Sequence, residues 1–258
     1  MFALSKRSRN RISAAPFATI LLLAACSSVP EAERTDARDP YEGSNRKAFA
    51  FNMGLDTNIL EPVANGYRNI MPPVGRRAID NHIGWTGLPA TAFNSTLQGR
   101  FENAGLSAVH FIVNSLSFGL VDLTEDPNVV KSQDFGQTLA SFDVPEGNYL
   151  MVPVLGPNTS RSLTGQVVDS VTNPMAFLKA GDAIQTVQNL RPPVAAVSKR
   201  ANLFKAFNDV KYNSLDPYAR TRSLYYQGRA ARINATVGKP NNRRTVDDQF
   251  ESFLEDPR

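Results

Sequence analysis

The sequence predicts an all-α fold for the body of this 258-residue chain. Three observations carry that expectation. Asp39-Pro40-Tyr41 and Asp216-Pro217-Tyr218 each place an acidic N-cap before a proline at the first helical position. The segments that follow run as helices until Pro or Gly stops them. The one strand-like run, Tyr149–Leu155, carries Pro153, which disfavours a central strand. The length leaves enough chain for a real core in one or two domains. With 42% hydrophobic and 20% charged residues, the chain is neither a disordered acidic protein nor a bundle of spanning helices. A single cysteine excludes a disulfide framework and a Cys-cluster zinc site.

Residues 1–25 form a signal peptide. Lys6, Arg7, Arg9 and Arg11 make a basic start, and residues 14–25 an apolar stretch too short for a stable membrane anchor. The stretch ends in Leu23-Ala24-Ala25-Cys26, which resembles the bacterial lipobox, where cleavage precedes the cysteine and its thiol carries a lipid. Acyl chains contribute about 0.8 kcal/mol per buried methylene, and two or more anchor stably. Ser27, in place of Asp, favours the outer membrane by resemblance to enterobacterial sorting. Residues 26–38 are small and charged and read as a flexible tether.

The folded body spans residues 39–237. Glu42 stands at N3 of the first start, as in a capping box, and that helix runs through Asn45, Arg46, Phe49 and Asn52 towards Gly54. A second helix covers 56–70, with Pro62 in its first turns, and Met71-Pro72-Pro73 stops it. A third begins near Val74 and breaks at Gly84, Gly87 and Pro89 around Trp85. Residues 90–99 form a short helix ending at Gly99. From Leu106 to Val121 most positions are apolar, interrupted by His110, Asn114, Ser115 and Ser117. Sixteen such residues are too few to span a bilayer, and composition alone admits a buried core helix or one at a membrane boundary. Tyr149–Leu155 reads as an extended apolar loop. Residues 160–190 are helical with a break at Asn173-Pro174. Residues 194–211 form a further helix with Val197, Leu203, Phe204 and Phe207 on its apolar side, and the last helix runs from Asp216 to about Val237. Residues 238–258 are polar and read as a disordered tail.

The pI near 9.3 suggests nucleic acid, but its origin removes that reading. Four of the 28 bases lie in the leader, and the other 24 balance the 24 acids. Within the body, residues 26–146 hold 9 bases and 15 acids, whereas 179–244 hold 13 bases and 3 acids. On the last helix Tyr218, Arg222, Tyr225, Arg229 and Arg232 share a stripe, beside a small apolar one of Leu224, Gly228, Ala231 and Ala235. The pair suits either a membrane surface with phosphate head groups or a solvated face.

Catalytic residues are not expected. His82 and His110 have no metal-spacing partners, and Gly-x-Ser-x-Gly, phosphate-loop and dinucleotide motifs are absent. The pairs Asp39/Glu42 and Glu125/Asp126 read as caps and turns, and His110 as a hydrogen-bonded core histidine. No cofactor or metal is called for.

The body resembles the MlaA (VacJ) lipoproteins. Asp39-Pro-Tyr-Glu-Gly-Ser-Asn-Arg46 with Phe49-Ala-Phe-Asn52 matches their opening motif. Pro62-Val-Ala, Tyr67-Arg68, Asn94, Leu97-Gln-Gly99, Phe111 and Asn114 follow in order. Then come Asp134-Phe-Gly-Gln-Thr-Leu139, Gly147-Asn-Tyr149, Pro153-Val-Leu-Gly-Pro157, and Asp216-Pro-Tyr218 with Arg222 and Tyr225. The chain departs at Ser44, at Ser115–Gly119, at Ser162 and at Gln227-Gly-Arg229.

The resemblance implies a ring of short bent helices in the inner leaflet of the outer membrane, with a polar central channel. It implies removal of misplaced phospholipids from the outer leaflet, beside a trimeric porin, and delivery to a periplasmic carrier. Moving a head group through hydrocarbon unaided costs many kcal/mol, and a polar path removes most of that cost. Segments 106–121 and 149–155 are the expected apolar belt, with the breaks at 84–89 and 145–157 as the bends. Asp39, Pro40, Asn45, Arg46, Phe49 and Asn52 are expected to fix the first helix, and Tyr218, Arg222, Tyr225 and Arg229 to anchor the last one or meet head groups. An envelope lipoprotein that scaffolds porins is the alternative. A lipid acyl hydrolase is disfavoured by the missing nucleophile elbow.

Overall fold

A computed structural model of the chain describes residues 36–124, 129–172 and 181–237. The leader, Cys26, the 238–258 tail, Glu125/Asp126 and the Asn173-Pro174 break lie outside these residues.

The described residues are mostly helical. Helix α1 (Glu42–Leu55) continues past Gly54 through a π-helical turn (Asp56–Leu60) into α2 (Glu61–Ile70). The expected stop at Gly54 is therefore absent. Met71 leaves the helix in extended geometry, as a residue before proline must. The expected cap at Asp39 is also absent: Tyr41 is the N-cap and no side chain caps it. Asp39 is buried and finds stronger partners elsewhere.

Helix α3 runs unbroken from Pro73 to Leu97, through Gly84, Gly87 and Pro89. This overturns the expected breaks at 84–89 and the separate helix at 90–99. An interior proline costs roughly 3 kcal/mol. Packing along α4 (Phe101–Ser115) offsets it: Trp85 stacks on Phe111 with centroids 5.1 Å apart and donates its indole N–H to the Phe111 carbonyl at 2.9 Å. Helix α4 stops at Ser115, so the apolar run continues as turns that fold back onto α3. Asn81 Nδ2 donates to the Leu120 carbonyl, and His82 Nδ1 lies 2.7 Å from the Phe118 carbonyl. Gly119 (φ +71°) lies so close to the Trp85 side chain that a Cβ would overlap it at 2.6 Å.

The extended apolar loop expected over Tyr149–Leu155 is instead a strand and a hairpin tip, preceded by a short helix. Helix α5 (Phe135–Ser141) opens with a capping box between Asp134 and Gln137. Strands β1 (Tyr149–Val152) and β2 (Gly156–Thr159) then form an antiparallel hairpin in the register Tyr149↔Thr159 and Val152↔Gly156. Pro153 sits at its tip, where no ladder bond is lost. The hairpin leads into α6 (Ser160–Thr172), which meets α5 so closely that a Cβ on Gly165 would lie 2.3 Å from the Gly136 nitrogen. Helix α7 (Gly181–Asn202) carries Pro192-Pro193 in its interior, and α8 is the separate Phe204–Tyr212. The single helix expected over 194–211 is thus divided. Helix α9 spans Pro217–Val237, with Asp216 Oδ1 accepting the Ala219 N–H at 3.0 Å.

The hydrophobic core is small. Tyr149, Met151, Tyr218 and Tyr226 are buried together, with Ala48, Phe49 and Tyr225 against them. It joins α1, the hairpin and α9, so Tyr149 and Met151 are core residues rather than belt.

Candidate functional site

Three ionic groups tie distant parts of the chain together, and the first lies against this aromatic core. In the first, Arg222 reaches Asp39 at 2.6 Å and Glu42 at 3.5 Å, and the Tyr218 hydroxyl donates to Asp39. Arg46 bridges Glu42 (2.8 Å) and both oxygens of Asp216 (2.7 and 3.2 Å), under the Tyr218 ring. Hydrogen bonding by the Arg38 guanidinium beside it holds Asp36 down at about 2. Burial pushes the Tyr218 hydroxyl up, and the bond to Asp39 adds to that.

Asn45 and Asn52, two turns apart on α1, act as a surrogate strand. Asn45 donates to the Tyr149 carbonyl and to Asp39, and accepts the Met151 N–H at 2.8 Å. Asn52 donates to the Val152 carbonyl and accepts the Val154 N–H at 2.7 Å. That last bond holds Val154 at φ +69°, a conformation a β-branched residue rarely adopts. Phe49 meets Tyr218 edge-on at 5.6 Å, and Pro40 is buried at the start of the helix.

In the second group, Arg229 forms a fork with Asp134 at 2.6 and 2.8 Å. Burial alone would raise the Asp134 carboxyl, but Arg229 brings it below its ordinary value. Asn94, Thr138 and Asp169 extend this group. Burial raises Asp169, and its bonds to the Phe135 N–H and Asn94, with the Arg229 charge, do not offset that. Tyr225 is half-buried and shares a 2.7 Å hydrogen bond with Ser162, which also supports Thr159 and Asn158. The stripe on α9 is thus not a solvated face: Tyr218, Arg222 and Arg229 are buried and only Arg232 is exposed.

The third group, Asp56 and Glu61 with Arg200 and Lys211, carries no sequence signal because its members lie about 150 positions apart. Arg200 is buried between the rings of Phe204 and Phe207.

Helices α3 and α4 reverse the usual pattern of a helix in water. The buried residues of α4 are Asn103, Ser107, His110 and Asn114, which recur every three or four positions. Those of α3 are Thr86, Thr91, Asn94 and Ser95. The apolar side chains face out: Ile112 is 66%, Leu116 82% and Phe118 74% exposed. Among the described residues most of the buried side chains are polar, while Ile70, Val74, Phe101, Val109, Leu120 and Val121 are exposed. Of the other expected belt segment, only Val154 and Leu155 at the hairpin tip are exposed. No helix among the described residues is long and apolar enough to cross a membrane.

A cavity of about 410 Å³ opens along the polar seam, lined by Asp80, Asn81, Trp85, His110, Asn114 and Asp122 among others. His110 is buried, with Nδ1 3.3 Å from the Thr124 hydroxyl. Asp122 accepts from Asn114 at 3.1 Å and from Thr124. Burial would raise the Asp122 carboxyl, but these donors and the nearby His110 lower it overall. The polar stripe on α4 was the signal that could have located this seam from sequence.

Together these features define a mostly helical protein whose buried side chains are largely polar and whose helices α3 and α4 turn apolar side chains outward. The model of the MlaA lipoprotein family matches residues 37–232, and the chain belongs to that family. It is 34% identical to an uncharacterized protein of Rickettsia bellii, over 79% of this chain and 82% of that one. It is 27% identical to the intermembrane phospholipid transport system lipoprotein MlaA of Escherichia coli, over 94% and 98%. The Haemophilus influenzae protein of that name is 29% identical, over 83% and 87%. A chain solved to explain the maintenance of bacterial outer membrane lipid asymmetry superimposes with a TM-score of 0.63 and 31% identity, covering 76% of this chain and 99% of that one.

Proposed function

We propose that this chain is an outer-membrane lipoprotein that takes mislocalised phospholipids out of the outer leaflet and passes them to a periplasmic carrier. It thereby maintains lipid asymmetry. The inverted helix α4, polar inside and apolar outside, carries the reading. In water, each large apolar side chain left exposed forgoes roughly 1.5–3 kcal/mol of burial. In a bilayer that loss vanishes, and the buried polar stripe supplies hydrogen-bonding groups that hydrocarbon lacks. The cavity beside Asp80 and Asn114 is then a stretch of a polar path for head groups, while acyl tails stay in lipid. The path is a passive conduit through a helical collar in the inner leaflet, held by acyl chains on Cys26. A trimeric porin is the expected neighbour.

The test is to label outer-leaflet phosphatidylethanolamine on cells lacking the gene. Labelling is expected to rise in the deletion strain and return to the parental level with the intact gene. A deletion strain with unchanged labelling, but altered porin assembly, favours the porin-scaffold reading.

A further inference from the structure

The basic excess of residues 179–244 is only partly consumed inside the protein. Arg200, Lys211, Arg222 and Arg229 turn inward onto carboxylates. A second set of cations has no carboxylate within ion-pair distance among the described residues. Arg68 ends α2, Arg76 and Arg77 open α3, Lys199 lies in the last turn of α7, and Lys205 opens α8.

These positions meet at one corner of the fold. The Arg68 guanidinium lies 4.4 Å from the centre of the Phe204 ring, next to Lys205. Asp80, one turn along α3 from Arg76 and Arg77, accepts from Ser198 at 2.5 Å and from Asn202 at 2.9 Å, on either side of Lys199. Asp80 is thus held by neutral donors, and Asp56 and Glu61 are already neutralised by Arg200 and Lys211. The Arg76 Nε is buried without a hydrogen-bond partner. Asp80 keeps its own negative charge, and set against it the five cations leave the corner net positive, with no ion pair to a carboxylate among the described residues.

The same helix ends also carry exposed apolar side chains: Ile70 at the end of α2, Val74 at the start of α3 and Leu203 at the cap of α8. Arg76 and Arg77 also lie only about 8 Å along the α3 axis from Asn81 and His82, which hold the exposed apolar turn 116–121. Charge rimming an exposed apolar surface is the arrangement of a bilayer boundary.

We propose that this corner is a docking surface for anionic phospholipid head groups, which fixes the depth at which the protein sits in its leaflet. The phosphates meet Arg76, Arg77, Lys199 and Lys205, while Ile70, Val74 and Leu203 enter the acyl region. The proposal rests on the leaflet reading above.

The test uses the full acylated lipoprotein in phosphatidylcholine vesicles with a trace of spin-labelled lipid. The restricted fraction of labelled phosphatidylglycerol is compared with that of labelled phosphatidylcholine. A preference of about fivefold for phosphatidylglycerol is expected at low salt, falling towards one in 1 M salt. The combined variant Arg76→Gln, Arg77→Gln, Lys199→Gln and Lys205→Gln should lose the preference but keep its restricted phosphatidylcholine and its helical circular dichroism. The wild-type salt dependence stands independently should that variant fold poorly. Equal association of both lipids with the wild type, a preference that survives in the folded variant, or loss to inorganic phosphate but not to chloride at equal ionic strength overturns the proposal and leaves the leaflet reading intact. Absence of restricted lipid of either kind overturns both.

Discussion

The Arg222 guanidinium reaches back 183 positions to the Asp39 carboxylate and closes on it at 2.6 Å, with both side chains almost wholly buried. This contact clamps the last helix onto the start of the first one. Removing one partner of a buried pair strands the other, at a cost of about 3–5 kcal/mol. Arg222→Ala is therefore expected to lower the midpoint of thermal unfolding by about 10 °C. Asp39→Ala should do the same, and the double variant should cost less than the sum of the two. Differential scanning calorimetry of the four proteins checks this.

Two tyrosines in the same core should respond in opposite ways. The Tyr218 hydroxyl donates to Asp39, whereas the buried Tyr149 hydroxyl has no partner. Tyr218→Phe is expected to destabilise by about 1–3 kcal/mol. Tyr149→Phe should be neutral or slightly stabilising, since it removes an unsatisfied polar group. Urea titrations of the two variants decide the matter, and a loss on Tyr149→Phe equal to that on Tyr218→Phe would refute the assignment.

Gly165 is there for closeness, not for turn geometry. A methyl group at this position meets the backbone of Gly136, which is not free to move aside. Gly165→Ala should cost about 1–3 kcal/mol of stability despite the better helix propensity of alanine. A more stable variant would mean that α5 and α6 do not pack in this way.

Acid should loosen the fold. Asp36, Asp134, Asp216 and Glu61 all lie below their ordinary values through Arg or Lys partners. A carboxylate with a depressed native value contributes stability that is fully present above its unfolded value, near pH 4, and is lost as pH falls. For Asp36 the loss extends to about pH 2. Asp122 and Asp209 are lowered as well, so Asp169, raised by burial, acts with the opposite sign as one group against six. The urea midpoint should therefore fall steadily between pH 5 and pH 3.

Substituting Cys26 by Ala should move the protein from the outer-membrane fraction to the soluble periplasm. Unchanged fractionation, or failure to incorporate radiolabelled palmitate in the parent, would refute lipidation at that residue.

The helical class, the stop at Met71-Pro72-Pro73 and the last helix from Asp216 were legible because each rests on local rules. Proline fixes the backbone around it, and an aspartate can cap a nearby helix start. The same rules failed at Asp39, at Gly84–Pro89 and at Pro153. There distant partners decided: Arg222 and Tyr218 drew Asp39 away from capping, and α3 stays helical across its proline while packed on α4 through the Trp85–Phe111 stack. Pro153 found a hairpin tip, which needs no ladder bond.

The sequence by itself settled the opening and closing motifs that mark the family, and the polar spacing on α4. Those are properties of neighbours along a chain. Only the tertiary structure decided which side of α4 faces inward and which arginines disappear into carboxylate pairs. An amphipathic helix is consistent with either orientation until its packing partner is known. A basic stripe on α9 likewise reads as surface until acids from the other end of the chain come to meet it.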